Sequence, residues 1–356
     1  MAELLYIKEF YIYLLVFLFI TISVSFFTYI EKKSAFKITN FITIAFGFFT
    51  VFYLGMRSYD IGIDTKNYRY AFNIIKDQES FSIRKDPFYD FISYLFGKIL
   101  DFQSLLIFCA FLYVFGALIG LKKIFKENYF LPFLLFLITP YFFQFGINVM
   151  RSGVAASVFL VAIGYYYTND KKWKTIVAFI FSICFHISML VPLLIFFIVR
   201  YIKKTKYIFI AWLASIVLGI LKINILVGLV SFLSDFTTRL GHYAENEGEQ
   251  SSWGNFLIFG AFPVLFAVYN IFVLKYKHNF YKWLTNAYML THIPYIILIN
   301  TEFALRLGYL AEFMMPILLL FPMLIEPKIK IKYMRFKLSL ILLLIFLIKA
   351  YKILIL

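Results

Sequence analysis

Residues 38–68 read ITNFITIAFGFFTVFYLGMRSYDIGIDTKNY. The first part, Ile38 to Met56, is apolar and about as long as a helix must be to cross the hydrocarbon core of a bilayer. The second part opens with Arg57 and places Asp60 and Asp64 four residues apart. It is the first dense polar cluster of the chain. An arginine at the mouth of a membrane helix, followed by two carboxylates, has to meet water or a charged partner. This junction sets the fold class and marks one membrane face as the entrance of a site.

Working outward, the rest of the chain repeats the apolar part. It has 356 residues, is 63% apolar and 22% aromatic, and has a mean hydropathy of +0.85. Soluble domains run at roughly 45–50% apolar. Further apolar runs fall at about 10–30, 104–121, 129–146, 148–167, 174–199, 207–222, 255–275, 283–300, 308–325 and 337–355. In lipid such runs must be helices, because no other open structure satisfies its own backbone there. The expectation is an all-α polytopic integral membrane bundle, one transmembrane domain over residues 1–356, with about ten spanning helices. Phe10 to Ile30 reads as the first of them. It is too long for the apolar region of a cleavable signal and lacks a small-residue cleavage site. Cys109 and Cys184 lie inside apolar runs and read as packing residues.

The net charge of +16 reads as membrane topology and not as nucleic-acid binding. Basic residues mark cytoplasmic loops. Lys32, Lys33 and Lys37 put the first loop inside, and residues 57–103, with seven basic and seven acidic residues, outside. Lys122, Lys123, Lys126, Lys171, Lys172 and Lys174 are then inside. The run 174–199 is the difficulty, because its far end carries Arg200, Lys203, Lys204 and Lys206. A hairpin of two half-helices, bent near His186 to Pro192, returns this loop and two later basic loops to the cytoplasm. Backbone broken at membrane depth is tolerated only where it is buried in protein or lines a cavity. Two external loops, 57–103 and 223–252, then contribute to the site. Pro87 to Leu100 in the first is apolar enough to lie along the interface.

Five polar sites converge on the outer half of this topology: Arg57 with Asp60 and Asp64; Arg151; His186; Arg239; and Glu302 with Arg306 and Tyr309. Several arginines on one face suit a diphosphate or an acidic sugar, whose oxygens guanidinium binds in pairs. The plainer readings are a snorkelling anchor for Arg57, a structural ion pair for Arg151, a carbonyl-bonded core imidazole for His186, an i, i+4 pair for Glu302 and Arg306, and solvated loop residues around Arg239. No glycine-rich nucleotide loop, nucleophile elbow or metal-ligand spacing is present in the sequence, so no cofactor and no metal is expected.

The residues that carry these sites also resemble a known family. Arg57…Ile61-Gly62-Ile63-Asp64-Thr65-Lys66-Asn67-Tyr68, Asn148-Val149-Met150-Arg151-Ser152-Gly153-Val154-Ala155, Phe185-His186-Ile187-Ser188-Met189-Leu190-Val191-Pro192 and Arg306-Leu307-Gly308-Tyr309 resemble, in order, four motifs of the EpsG/Wzy-like polysaccharide polymerases. Met189 stands where that family commonly has alanine. The resemblance covers about residues 50–325 and implies a GT-C-like membrane glycosyltransferase. Such enzymes join oligosaccharide repeat units carried on undecaprenyl diphosphate into O-antigen, capsule or exopolysaccharide on the outer face of the bacterial inner membrane. It implies a lipid-linked oligosaccharide as substrate, and a flippase and a chain-length regulator as partners.

On that resemblance Arg57, Arg151 and Arg306 clamp the diphosphate, with Asp60, Tyr68, Arg239, Glu302 and Tyr309 as further contacts. Asp64 or His186 takes the proton of the attacking hydroxyl, Asp64 being slightly preferred. A ligase that attaches finished polymer to another acceptor, and a flippase for the lipid-linked unit, are the competing readings.

Overall fold

The structure is a computed structural model that describes residues 2–31, 35–83, 86–139, 141–202, 204–223, 253–301, 304–327 and 334–355. The regular elements there are helices. In chain order they are α1 (Ala2–Glu31), α2 (Ala35–Gly55), α3 (Thr65–Lys76), α4 (Pro87–Ile99), α5 (Phe102–Phe125), α6 (Phe130–Ile138), α7 (Tyr141–Phe143), α8 (Met150–Thr168), α9 (Lys172–Phe185), α10 (Leu190–Val199), α11 (Thr205–Ile220), α12 (Trp253–Asn255), α13 (Phe262–Phe272), α14 (Asn279–Ile297), α15 (Ala304–Glu312), α16 (Met315–Leu324) and α17 (Met334–Ile355). The chain divides into two compact units, Met1–Met189 with Ile329–Leu356, and Leu190–Lys328.

The all-helical membrane class is as expected, and the described residues hold fewer helices long and apolar enough to cross than the ten or so expected of the whole chain. Among the described residues four helical stretches are long and apolar enough to cross: Ala2–Val24, Ile38–Gly55, Phe102–Asn128 and Ala304–Leu324. The bent pair Phe130–Ile138 and Tyr141–Asn148 makes a fifth if it is one span. The reason is that hydropathy is blind to breaks in the helix. The run 129–146 is helical over Phe130–Ile138 and again over Tyr141–Phe143, and continues as the π-turn Gln144–Asn148. The run 255–275 is the π-turn Phe256–Ala261 followed by only eleven helical residues. The run 174–199 stops at Phe185, passes through extended backbone at His186 (φ −159°, ψ 120°) and a 3-10 turn at Ile187–Met189, and resumes at Leu190.

The first unit is built on close contact between α5 and α8. Gly116 and Gly120, four apart on α5, let the helix backbones touch. A Cβ on Gly120 would lie 2.6 Å from the Leu160 carbonyl carbon, and one on Gly116 would lie 3.0 Å from Ser157 Cβ. Small residues at this spacing replace the hydrophobic effect, which lipid does not supply, by dense packing. Ser182 Oγ on α9 donates to the Ala155 carbonyl on α8 at 2.7 Å. On α2, a Cβ on Gly55 would meet Ile107 Cα of α5 at 2.6 Å. Aromatic rings join α1 to α2 and α7: Phe10 lies 5.3 Å from Tyr53 and 5.6 Å from Phe142, centroid to centroid. The C-terminal α17 returns to α1 through Tyr11 and Phe346, stacked at 5.4 Å.

Two amphipathic helices sit between α2 and α5 in the chain. α3 buries Thr65, Tyr68, Phe72 and Ile75 on one face. α4 buries Tyr89, Asp90, Ile92, Ser93 and Gly97 and exposes Phe91, Leu95 and Ile99. Pro87 at its first position fixes the starting φ, and Asp90 reaches back so that its carboxylate accepts the Asp86 N–H at 3.2 Å.

The second unit is organised around α14. Gly219 at the end of α11 abuts it, with a Cβ there lying 2.5 Å from the Ile296 carbonyl oxygen. Trp283 packs edge-on against Phe196 of α10. His292 is fully buried and stacks on Phe256 at 5.6 Å.

The glycine contact is testable. Gly120→Leu forces α5 and α8 apart and should cost at least about 1–3 kcal/mol. It should lower the unfolding temperature of the detergent-solubilised protein. Gly254→Ala, whose Cβ would meet open space, should leave that temperature unchanged.

Candidate functional site

The site grows from the start of α4. Asp86 is wholly buried, and its carboxylate is held from three sides. Arg151 Nη1 donates to Oδ2 at 2.5 Å. His186 Nδ1 lies 3.2 Å from both oxygens. The Ile187 N–H donates to Oδ1 at 3.3 Å. Each donor has a structural reason to be there. Arg151 stands in the first turn of α8, held in place by the α5 contact. His186 and Ile187 occupy the break after α9, where interrupted helical bonding frees a backbone N–H for a side-chain acceptor.

The partners differ from the carboxylate in exposure. The Asp86 side chain is 0% exposed, Arg151 23% and His186 18%. The acid therefore lies beneath a guanidinium and an imidazole that both reach the surface. Two aromatic faces complete the setting: Arg151 lies over the rings of Tyr68 and Tyr89 at 5.4 and 5.3 Å, where a cation is attracted to the ring face. Burial pushes the hydroxyls of Tyr68 and Tyr89 up, so both stay neutral. For Asp86 burial is the largest effect and opposes ionisation. The His186 hydrogen bond, the charges of His186 and Arg151 and the Ile187 N–H together outweigh it and hold the carboxyl below its usual range.

Chemically this is a carboxylate that orients an imidazole. With Nδ1–H donated to Asp86, the neutral ring presents an unprotonated Nε2 as a proton acceptor. That is the logic of a base positioned by a third group. Arg151 beside it keeps further donors for an anion.

The opening motif has a different geometry. Arg57 is only 2% exposed. It donates to the Leu54 and Ile147 carbonyls at 2.6 and 3.3 Å and lies 3.5 Å from Thr65 Oγ1. Its guanidinium is thus turned inward, onto the backbone. Gly62 takes φ +92°, and a Cβ there would lie 2.5 Å from Ile147 Cγ2 and 2.8 Å from Thr65 Oγ1. Only glycine serves at that turn. Asn148 closes it, its Oδ1 accepting the Ile63 N–H at 2.8 Å. Asp60 is exposed and paired with Lys66 at 3.1 Å. Asp64 is half-buried at the start of α3, its side chain making no cap hydrogen bond.

A family model described as the EpsG family matches residues 39–355. The chain belongs to the EpsG family. Neither the curated proteins nor the solved structures contain a match to it.

Within this EpsG-family chain the structure brings Tyr68, Arg151 and His186 together, with Asp64 on the same helix as Tyr68. Arg306, exposed, and Tyr309, half-buried, stand on α15 of the other unit. Arg239, Glu302 and most of the loop 223–252 lie outside the described residues. The residue that sequence reasoning passed over is Asp86. Its signal was present: an aspartate directly before a proline at the start of an apolar helix is a helix N-terminus. Here the carboxylate turns away from capping its own helix to serve Arg151 and His186.

Asp86→Asn removes the anion that the Arg151 guanidinium and the His186 imidazole both face. Breaking a buried pair from one side should cost about 3 kcal/mol. Because the folded carboxyl sits below its ordinary value, its contribution is complete above about pH 4 and is lost as pH falls through the folded value. Acid unfolding curves should show this loss in the wild-type protein and much less of it in Asp86→Asn.

Proposed function

We propose that this EpsG-family protein is a membrane glycosyltransferase that polymerises oligosaccharide repeat units carried on undecaprenyl diphosphate, at the outer face of the bacterial inner membrane, on a GT-C-like helical scaffold. The observation that carries the reading is the buried Asp86 beneath a partly exposed His186 and Arg151. Family membership supports the reaction class, and the geometry supports a base and an anion site side by side.

In this reaction the hydroxyl of the incoming lipid-linked unit attacks the anomeric carbon of the growing chain. His186 Nε2 takes the hydroxyl proton as the new C–O bond forms. The bond from the anomeric carbon to the diphosphate breaks, and the lipid diphosphate leaves with the electron pair. Arg151 stabilises that developing charge. A positioned general base contributes roughly 10²–10⁴-fold, and a preorganised donor to the developing anion about 10²–10³-fold.

The inward geometry of Arg57 supports a role in holding the Gly62 turn and the start of α3. Asp64, next to Tyr68 by one turn of helix, is a second carboxylate able to face an oxocarbenium-like centre. Arg306 and Tyr309 keep the substrate contacts implied by the family motifs.

The test is complementation of a strain lacking the gene, with expression matched by immunoblot. His186→Ala and Arg151→Ala should leave single repeat units in place of a ladder, and Asp64→Asn should shorten or abolish it. A full-length ladder from His186→Ala removes it as the base. Full-length polymer that stays unattached to its final acceptor would instead favour a ligase.

A further inference from the structure

On the side of α3 away from the Asp86 cluster lies a groove of about 340 Å³, lined by Tyr59, Asp60, Lys66, Arg69, Tyr70 and Asn73. Its size is near the lower end of small-molecule sites. The helix divides its residues cleanly. Thr65, Tyr68, Phe72 and Ile75 face inward, and Tyr68 meets Arg151 there. Lys66, Arg69, Tyr70 and Asn73, at helical spacing of three and four, form the outward stripe and are all exposed.

We propose that this groove is a saccharide subsite that holds one pyranose of the substrate's oligosaccharide. The inference rests on the polymerase reading above and adds to it where the sugar lies. Three features of the lining favour a sugar. Tyr70 is 72% exposed among polar neighbours, so protein core does not account for its ring. A flat aromatic face suits the C–H face of a pyranose. Tyr59 is already oriented: it packs against Phe102 at 5.6 Å, and the Arg69 guanidinium lies over it at 4.3 Å. Stacked in this way, Arg69 keeps its in-plane N–H donors for hydroxyl or carboxylate oxygens. Asp60 and Asn73 supply acceptors for sugar O–H groups.

A pyranose also offers Asp60 several O–H donors, which a phosphodiester group lacks. The rigid α3 fixes the subsite relative to Tyr68 and Arg151, so it would set which residue of the repeat enters next to the reacting bond.

The experiment uses the full chain in detergent and, as probe, the repeat-unit oligosaccharide released by mild acid from the host cell's own polymer. Saturation-transfer NMR reads binding. The wild-type protein should transfer to one sugar residue above the rest. Tyr70→Ala and Asn73→Ala should weaken binding at least tenfold, while Tyr70→Phe keeps the ring and binds like wild type. His186→Ala should bind normally while making no polymer, which separates failure of the subsite from failure of the proposed base. Unchanged binding in Tyr70→Ala and Asn73→Ala, or no binding by the wild type, overturns the proposal. So does transfer to added phosphatidylglycerol that the same substitutions abolish and the oligosaccharide does not displace.

Discussion

The Asp86 carboxylate is the constraint on which the first unit depends. An ion taken out of water costs several kcal/mol unless its partners are well placed. Here they are, and they come from far apart in the chain: Arg151 is 65 residues away and His186 is 100. One buried anion therefore ties the loop after α3, the first turn of α8 and the break after α9 into a single arrangement. If any of the three shifts, a charge is left buried without its partner.

The surrounding structure is organised to keep those three in register. The glycine contacts of α5 with α8 fix the height of Arg151. The Ser182 hydrogen bond to Ala155 ties α9 to α8, and so sets where His186 emerges. Arg57 and Asn148 hold the tight turn at Gly62, which starts α3 and brings Tyr68 under Arg151. The polar groups of the opening motif thus act mostly on backbone, and through it on the orientation of the cation next to the imidazole. Positioning of this kind comes from rigid elements whose own partners are satisfied.

Much of this was legible in the sequence, for identifiable reasons. Membrane class follows from apolar runs, which physics ties to helices. Arg151 and His186 were conspicuous because charge and imidazole are expensive inside apolar segments, and the helix break falls at His186. Three things were not legible. Asp86 sits in a loop crowded with other charges, and nothing local distinguishes a buried aspartate from a solvated one. The inward turn of Arg57 depends on the Ile147 carbonyl, 90 residues away. The number of spans depends on π-turns and extended residues such as His186, to which hydropathy is indifferent. Helix existence was thus easier to read than helix continuity, and the guanidinium and imidazole easier than the anion between them.

The central claim is that Asp86 acts through His186, orienting one base, and not as a second independent catalyst. A double-mutant cycle on polymer formation by the purified protein tests this most directly. Asp86→Asn, His186→Gln and the double variant are compared at equal folded fraction. The account predicts that the two losses fall well short of multiplying, the double variant being slower than His186→Gln alone only by what Arg151 loses with its buried partner. Losses that multiply across the two substitutions would contradict it.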